Sequence, residues 1–118
     1  MRFAPDTLLT PGEQDVLRRF CAGFHTLPVM PGKMAVFGSR ATGGADEHSD
    51  LDMAVFFDGS RSAELETRLS AIAFSAQSPY RSGPYGIFLR PVPLYITDKS
   101  LFLDSIRPDL EVVWTRPN

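Results

Sequence analysis

Phe37-Gly38-Ser39-Arg40-Ala41-Thr42-Gly43-Gly44-Ala45-Asp46-Glu47-His48-Ser49-Asp50-Leu51-Asp52-Met53-Ala54-Val55 is the stretch that decides the fold. It begins where a short apolar run, Met34-Ala35-Val36-Phe37, stops at Gly38, and that run has the length and content of a buried strand. It ends inside a second strand, in which Leu51, Met53, Val55 and Phe57 alternate with Asp50, Asp52, Ala54 and Phe56 before Asp58-Gly59. Residues i and i+2 of a strand share a face, so Asp50 and Asp52 point the same way with Cα atoms about 6.5–7 Å apart. Leu51, Met53 and Val55 point the other way and anchor the strand in the core. Two carboxylates held like this repel by roughly 3 kcal/mol at an effective dielectric of about 20. A divalent cation removes that cost. Mg²⁺ fits best, because it prefers one or two carboxylates completed by substrate phosphate oxygens. Gly38 lets backbone approach a ligand closely, Ser39 offers a hydroxyl and an amide at an expected helix start, and Arg40 adds a charge clamp.

Working outward, Thr10-Pro11-Gly12-Glu13 reads as an N-cap, a proline at the first helical position and an acid in the first turn. Val16, Leu17, Phe20 and Phe24 follow at helical spacing, ending before Pro28. Ser60 or Ser62 caps a second helix with Leu65, Leu69, Ile72 and Ala73 on one face, ending near Pro79. Tyr85 to Thr97 has strand composition, but Pro91 and Pro93 force an edge, bulge or bend. Leu101, Leu103 and Ile106 indicate a short helix, and Glu111 to Thr115 a last strand. The expected order is α-β-(short α)-β-α-β-α-β. The fold class is α/β (α+β), with a small mixed twisted sheet carrying its helices mainly on one face. The connection between the first two strands leaves their relative direction open.

The 118 residues are the size of a single domain, 1–118, with no repeat or linker. Apolar residues make up 43% and charged ones 22%, with 12 basic against 14 acidic, which excludes a disordered chain and a general polyanion binder. The composition therefore carries no strong nucleic-acid signal. One cysteine excludes a disulfide framework and a cysteine-based zinc site. No apolar run spans a bilayer, and Pro5-Asp6 interrupts the place of a signal sequence, so a cytoplasmic protein without a membrane partner is expected. A P-loop counted from Gly38 needs Lys where Gly44 stands, and no G-x-G-x-x-G occurs.

Gly38-Ser39, ten residues from Arg40 to Ser49, then Asp50-Leu51-Asp52 resembles the signature of the DNA polymerase β-type nucleotidyltransferases. Within that superfamily the chain is most similar to the minimal nucleotidyltransferases, often antitoxins beside HEPN-type toxins. The resemblance implies that Gly38 and Ser39, with Arg40 beside them, contact nucleotide phosphate. It implies that Asp50 and Asp52 bind Mg²⁺ as the catalytic pair, and that AMP passes from ATP to an acceptor hydroxyl. In the antitoxin members that hydroxyl is a tyrosine of the toxin, so a small helical HEPN-type partner or another protein acceptor is expected, with a homo-oligomer as a further option. One departure stands out. The family's third carboxylate lies on the strand after the central helix, and Tyr85 to Thr97 contains no acid. Val92-Pro93-Leu94 falls at the expected place, so Pro93 is read as its replacement.

Plainer readings stand beside these. Asp46 and Glu47 read as a solvated loop face, with an auxiliary metal role as the alternative, and Arg40 can equally pair with them. His48 reads as exposed, and Cys21 and His25 as packing or solvent residues at the end of the first helix. Arg19 and His25 match an R-x(4–6)-H ribonuclease spacing, but that belongs to helical bundles. Phe88, Tyr95, Phe102 and Trp114 read as core or interface. The functions in play are an adenylyl transferase, a catalytically degenerate module that neutralises a partner by occlusion, and a subunit of a larger modifying assembly.

Overall fold

A capping box starts the chain's first helix, as the Thr10-Pro11-Gly12-Glu13 signal predicts. Glu13 N donates to Thr10 Oγ1 at 3.1 Å, and Thr10 N donates to Glu13 Oε1 at 2.8 Å. The structure is a computed structural model and describes residues 3, 5–38, 50–80, 86–95 and 110–117. Helix α1 spans Pro11–Ala22 and is followed by a 3₁₀ turn, Phe24–Thr26. Strand β1 is Lys33–Phe37 and β2 is Leu51–Phe57. Helix α2, Ala63–Gln77, is capped by Ser62, whose Oγ accepts the Leu65 amide at 3.3 Å. Strands β3, Leu89–Tyr95, and β4, Glu111–Thr115, complete the sheet. The short helix expected between β1 and β2 and the helix at Leu101 to Ile106 lie outside the described residues, as do Tyr85, Ile96 and Thr97.

The sheet order is β3-β2-β1-β4. Strands β1 and β2 are antiparallel, β1 and β4 are antiparallel, and β2 and β3 are parallel. The sheet is therefore mixed, as the composition of elements predicts. Alternation divides β2 between two faces. Met53 and Val55 join Met34, Val36, Val16, Leu17, Phe20, Leu65 and Leu69 in the main core beneath the two helices. Each large side chain buried there contributes about 1.5–3 kcal/mol. Ala54 and Phe56 lie on the other face, in a small cluster with Phe37, Val92 and Leu94. The carboxyl-bearing face of β2 is thus the one opposite α1 and α2.

The helices meet through Gly23, where an added Cβ would stand 2.5 Å from Ile72 Cγ2. In β4 the register slips between Met34 and Ala35. That bulge turns both Val113 and Trp114 to the helix-covered face, where Trp114 meets the Phe24 ring edge-on at 5.0 Å.

The two prolines of β3 are accommodated by strand direction. Phe88 O accepts from Leu51 N at 2.8 Å, so the even residues of β3 turn their peptide groups toward β2. The odd residues turn theirs outward, which the Leu89 amide confirms by donating to Gln77 Oε1 on the other side. Pro91 and Pro93 are odd. Their missing N–H groups face the open edge and cost the ladder nothing, so of the edge, bulge or bend expected, β3 takes the edge.

Candidate functional site

Asp52 sits at the amino-terminal end of β2, opposite Phe37, the last residue of β1. The chain then turns at Gly38 with φ +74°. That left-handed conformation is strained for any residue with a Cβ. Space demands glycine as well: a Cβ there would stand 2.8 Å from Asp52 Oδ2. Gly38 is therefore the residue that lets the turn close over a carboxylate, and the two-part spacing read from the sequence brings these two residues together.

The other oxygen of Asp52 is engaged too. Arg90 Nε donates to Asp52 Oδ1 at 2.6 Å, with the arginine side chain 55% and the aspartate side chain 17% exposed. The pairing follows from register, since Arg90 is the β3 residue directly beside Asp52 in the parallel ladder. This corrects the expectation about the third carboxylate's place. Pro93 pairs with Val55, three positions deeper, on the helix-covered face. The residue that stands where an acid would flank Asp52 is a cation. Asp50 is exposed and lies one residue before β2. Ser39, Arg40, Asp46, Glu47, His48, Asp98 and Phe102 lie outside the described residues.

Sequence reasoning did not place Arg90. The available signal was parity: Pro91 and Pro93 share one face of the strand, which leaves Arg90, Val92 and Leu94 for the other. Phe88, read as core or interface, is 50% exposed at the same end of β3. Tyr95 is buried, as expected, stacked on Phe57 at 5.8 Å. Asp58 is remote from this end, at the far terminus of β2, and pairs with Arg116 at 3.1 Å.

The donor set fits a hard divalent cation. Asp52, with Asp50 two residues before it, offers the one or two carboxylates Mg²⁺ takes, and glycine at position 38 spares Oδ2 a Cβ at 2.8 Å. Among the described residues there is no group of three or more His, Cys, Asp or Glu able to hold a metal. Among the same residues, no helix is long and apolar enough to cross a membrane. Burial pushes the Cys21 thiol up to about 12, which disfavours the thiolate and fits a packing role against the main core.

Residues 17–82 match the family model for the nucleotidyltransferase domain, a span that includes Gly38, Asp50 and Asp52 but stops short of Arg90. No curated protein matches the chain. Among solved structures, that of a Sulfolobus solfataricus protein assigned as a nucleotidyltransferase superposes with a TM-score of 0.51 at 19% identity. The superposition covers 92% of this chain and 90% of that one, and at this identity it shows a shared fold.

Proposed function

The chain belongs to the nucleotidyltransferase domain family, and on that premise we propose that it transfers AMP from ATP to a hydroxyl of a protein partner. One observation carries this reading: Gly38, in a left-handed turn, lies against the Asp52 carboxylate at the end of two adjacent strands on the face free of α1 and α2. The conformation costs about 1–2 kcal/mol for a residue with a Cβ, a demand that packing alone does not make.

Bound Mg²⁺, held by Asp50 and Asp52, would neutralise charge on the triphosphate. Gly38 and Ser39 bring backbone to the phosphates, and Arg40 and Arg90 add positive charge there. Positioning and charge neutralisation supply most of the rate in such transfers. The acceptor oxygen forms a bond to the α-phosphorus, and the bond from that phosphorus to the oxygen bridging the β-phosphorus breaks. Pyrophosphate departs with that electron pair, and the hydroxyl proton passes to water. The partner best matched to the sequence resemblance is a small helical HEPN-type toxin carrying the acceptor tyrosine, which makes this chain the antitoxin.

A second reading rests on Arg90. A cation beside Asp52 in place of a third acid favours a chain that binds nucleotide and neutralises its partner by occlusion. A general base typically contributes about 10²–10⁴-fold, so its loss slows transfer while leaving binding intact. Intact-mass analysis of the neighbouring gene's product, incubated with this chain, ATP and Mg²⁺, separates the two. A mass gain of one adenylyl group that disappears with Asp52→Ala supports transfer. Tight association without any mass gain, retained by Asp50→Ala and Asp52→Ala, supports occlusion.

A further inference from the structure

We propose that Arg90 gates Asp52, so that the guanidinium and a divalent cation are alternative partners of the same carboxylate and a triphosphate is what draws the arginine away. The inference rests on the nucleotide-site reading above. Asp52 is covered on both sides: Oδ2 lies against Gly38, and Oδ1 accepts from Arg90 Nε at 2.6 Å. With 17% of the aspartate side chain exposed, Arg90 holds one of the two oxygens that a cation would share. The arginine is poised to leave. Its side chain is 55% exposed, and rotation about its own bonds moves the guanidinium without disturbing β3. A phosphate group gives it a partner whose oxygens match the guanidinium fork as a carboxylate does.

The pair also answers the charge problem posed by Asp50 and Asp52. Arg90 already neutralises the Asp52 end of it, so a divalent ion entering at Asp52 must displace a cation. The chain therefore holds little metal by itself, and metal and triphosphate favour each other's binding, because each stabilises the arrangement in which Arg90 has left Asp52.

The test compares the parent with Arg90→Gln and Arg90→Lys, using Mn²⁺ alone (read by its paramagnetic resonance signal) and ATP alone in the presence of a chelator. The gate requires changes of opposite sign. Arg90→Gln should bind Mn²⁺ at least tenfold more tightly than the parent and metal-free ATP at least tenfold more weakly. Arg90→Lys should stay within about threefold of the parent for ATP, because it keeps the charge. A residue that only supports the fold cannot strengthen one ligand while weakening the other. Unchanged or weaker Mn²⁺ binding by Arg90→Gln, with ATP still bound by the parent, overturns the gate and leaves the nucleotide site standing. No binding of ATP by the parent, with or without Mn²⁺, overturns the nucleotide-site reading and the gate with it.

Discussion

Gln77 Oε1, at the end of α2, accepts the amide of Leu89, the first residue of β3, at 2.6 Å in a buried position. The helix thereby occupies the first outward-facing donor of an edge strand. Pro91 and Pro93 remove the next two, because they share its parity. Exposed strand edges are templates for pairing with other chains, and this one has lost its first three outward donors. Replacing both prolines with valine should restore two outward N–H groups and produce concentration-dependent self-association. Light scattering across a dilution series is the check, and a strictly monomer-like double variant beside a monomeric parent would remove this account of the prolines.

Gly38→Ala tests the turn over Asp52. The left-handed conformation alone should cost about 1–2 kcal/mol. For a domain of this size that lowers Tm by roughly 4–8 °C per kcal/mol. The added Cβ must also displace the Asp52 carboxylate, so ATP binding should weaken by more than the stability loss explains. Calorimetry on the folded variant, well below its Tm, separates the two effects.

Mg²⁺ with ATP should raise the melting temperature, since a ligand that binds only the folded state stabilises it by about 2.7 kcal/mol at one hundred times its Kd. The double variant Asp50→Ala with Asp52→Ala should lose that rise. A variant that responds like the parent would place the nucleotide elsewhere.

Asp15 links α1 to the turn after α2. Tyr80 donates its hydroxyl to Asp15 Oδ2 at 2.6 Å, and Arg19 Nε donates to the same oxygen at 3.0 Å. The tyrosine hydrogen bond, then the arginine, holds the Asp15 carboxyl below its ordinary 3.8. A lowered folded-state pKa contributes stability that is present above the ordinary value and is lost as pH falls through the folded one. The same bond raises the Tyr80 phenol above its ordinary 10.0, so the link also weakens at strongly alkaline pH. Tyr80→Phe should therefore be less stable than the parent at neutral pH, with the difference closing as pH drops below 3.8. Denaturant titrations along the acid limb measure it, and a difference that is constant with pH would assign the bond no electrostatic role.

The parts of the fold that were legible in the sequence are those written locally. Thr10, Pro11 and Glu13 mark a helix start within four residues, and of the two caps read for α2, Ser60 or Ser62, the structure uses Ser62. Period-two alternation located β2, and Glu111 to Thr115 was read with the bounds the structure gives. Strand direction was not legible, because a connection of about a dozen residues allows either sense. The neighbour of Asp52 was not legible for a related reason. Arg90 reaches it only through the register of a parallel pair, and the family resemblance pointed to Pro93, between Val92 and Leu94, instead. The electrostatic argument from the sequence weighed Asp50 against Asp52 alone. It lacked the arginine that the pairing brings to Asp52.

The bulge in β4 has a kinetic consequence. The chain contains one tryptophan, and the bulge packs it against Phe24 beneath the sheet. Its fluorescence therefore reports the docking of β4 on β1, a contact between segments far apart in the sequence that closes a long loop. The pairing of β1 with β2, which brings Gly38 to Asp52, joins segments much closer together. A refolding trace followed through Trp114 is thus a clock for the completion of the sheet and is blind to the moment when its charged corner takes shape.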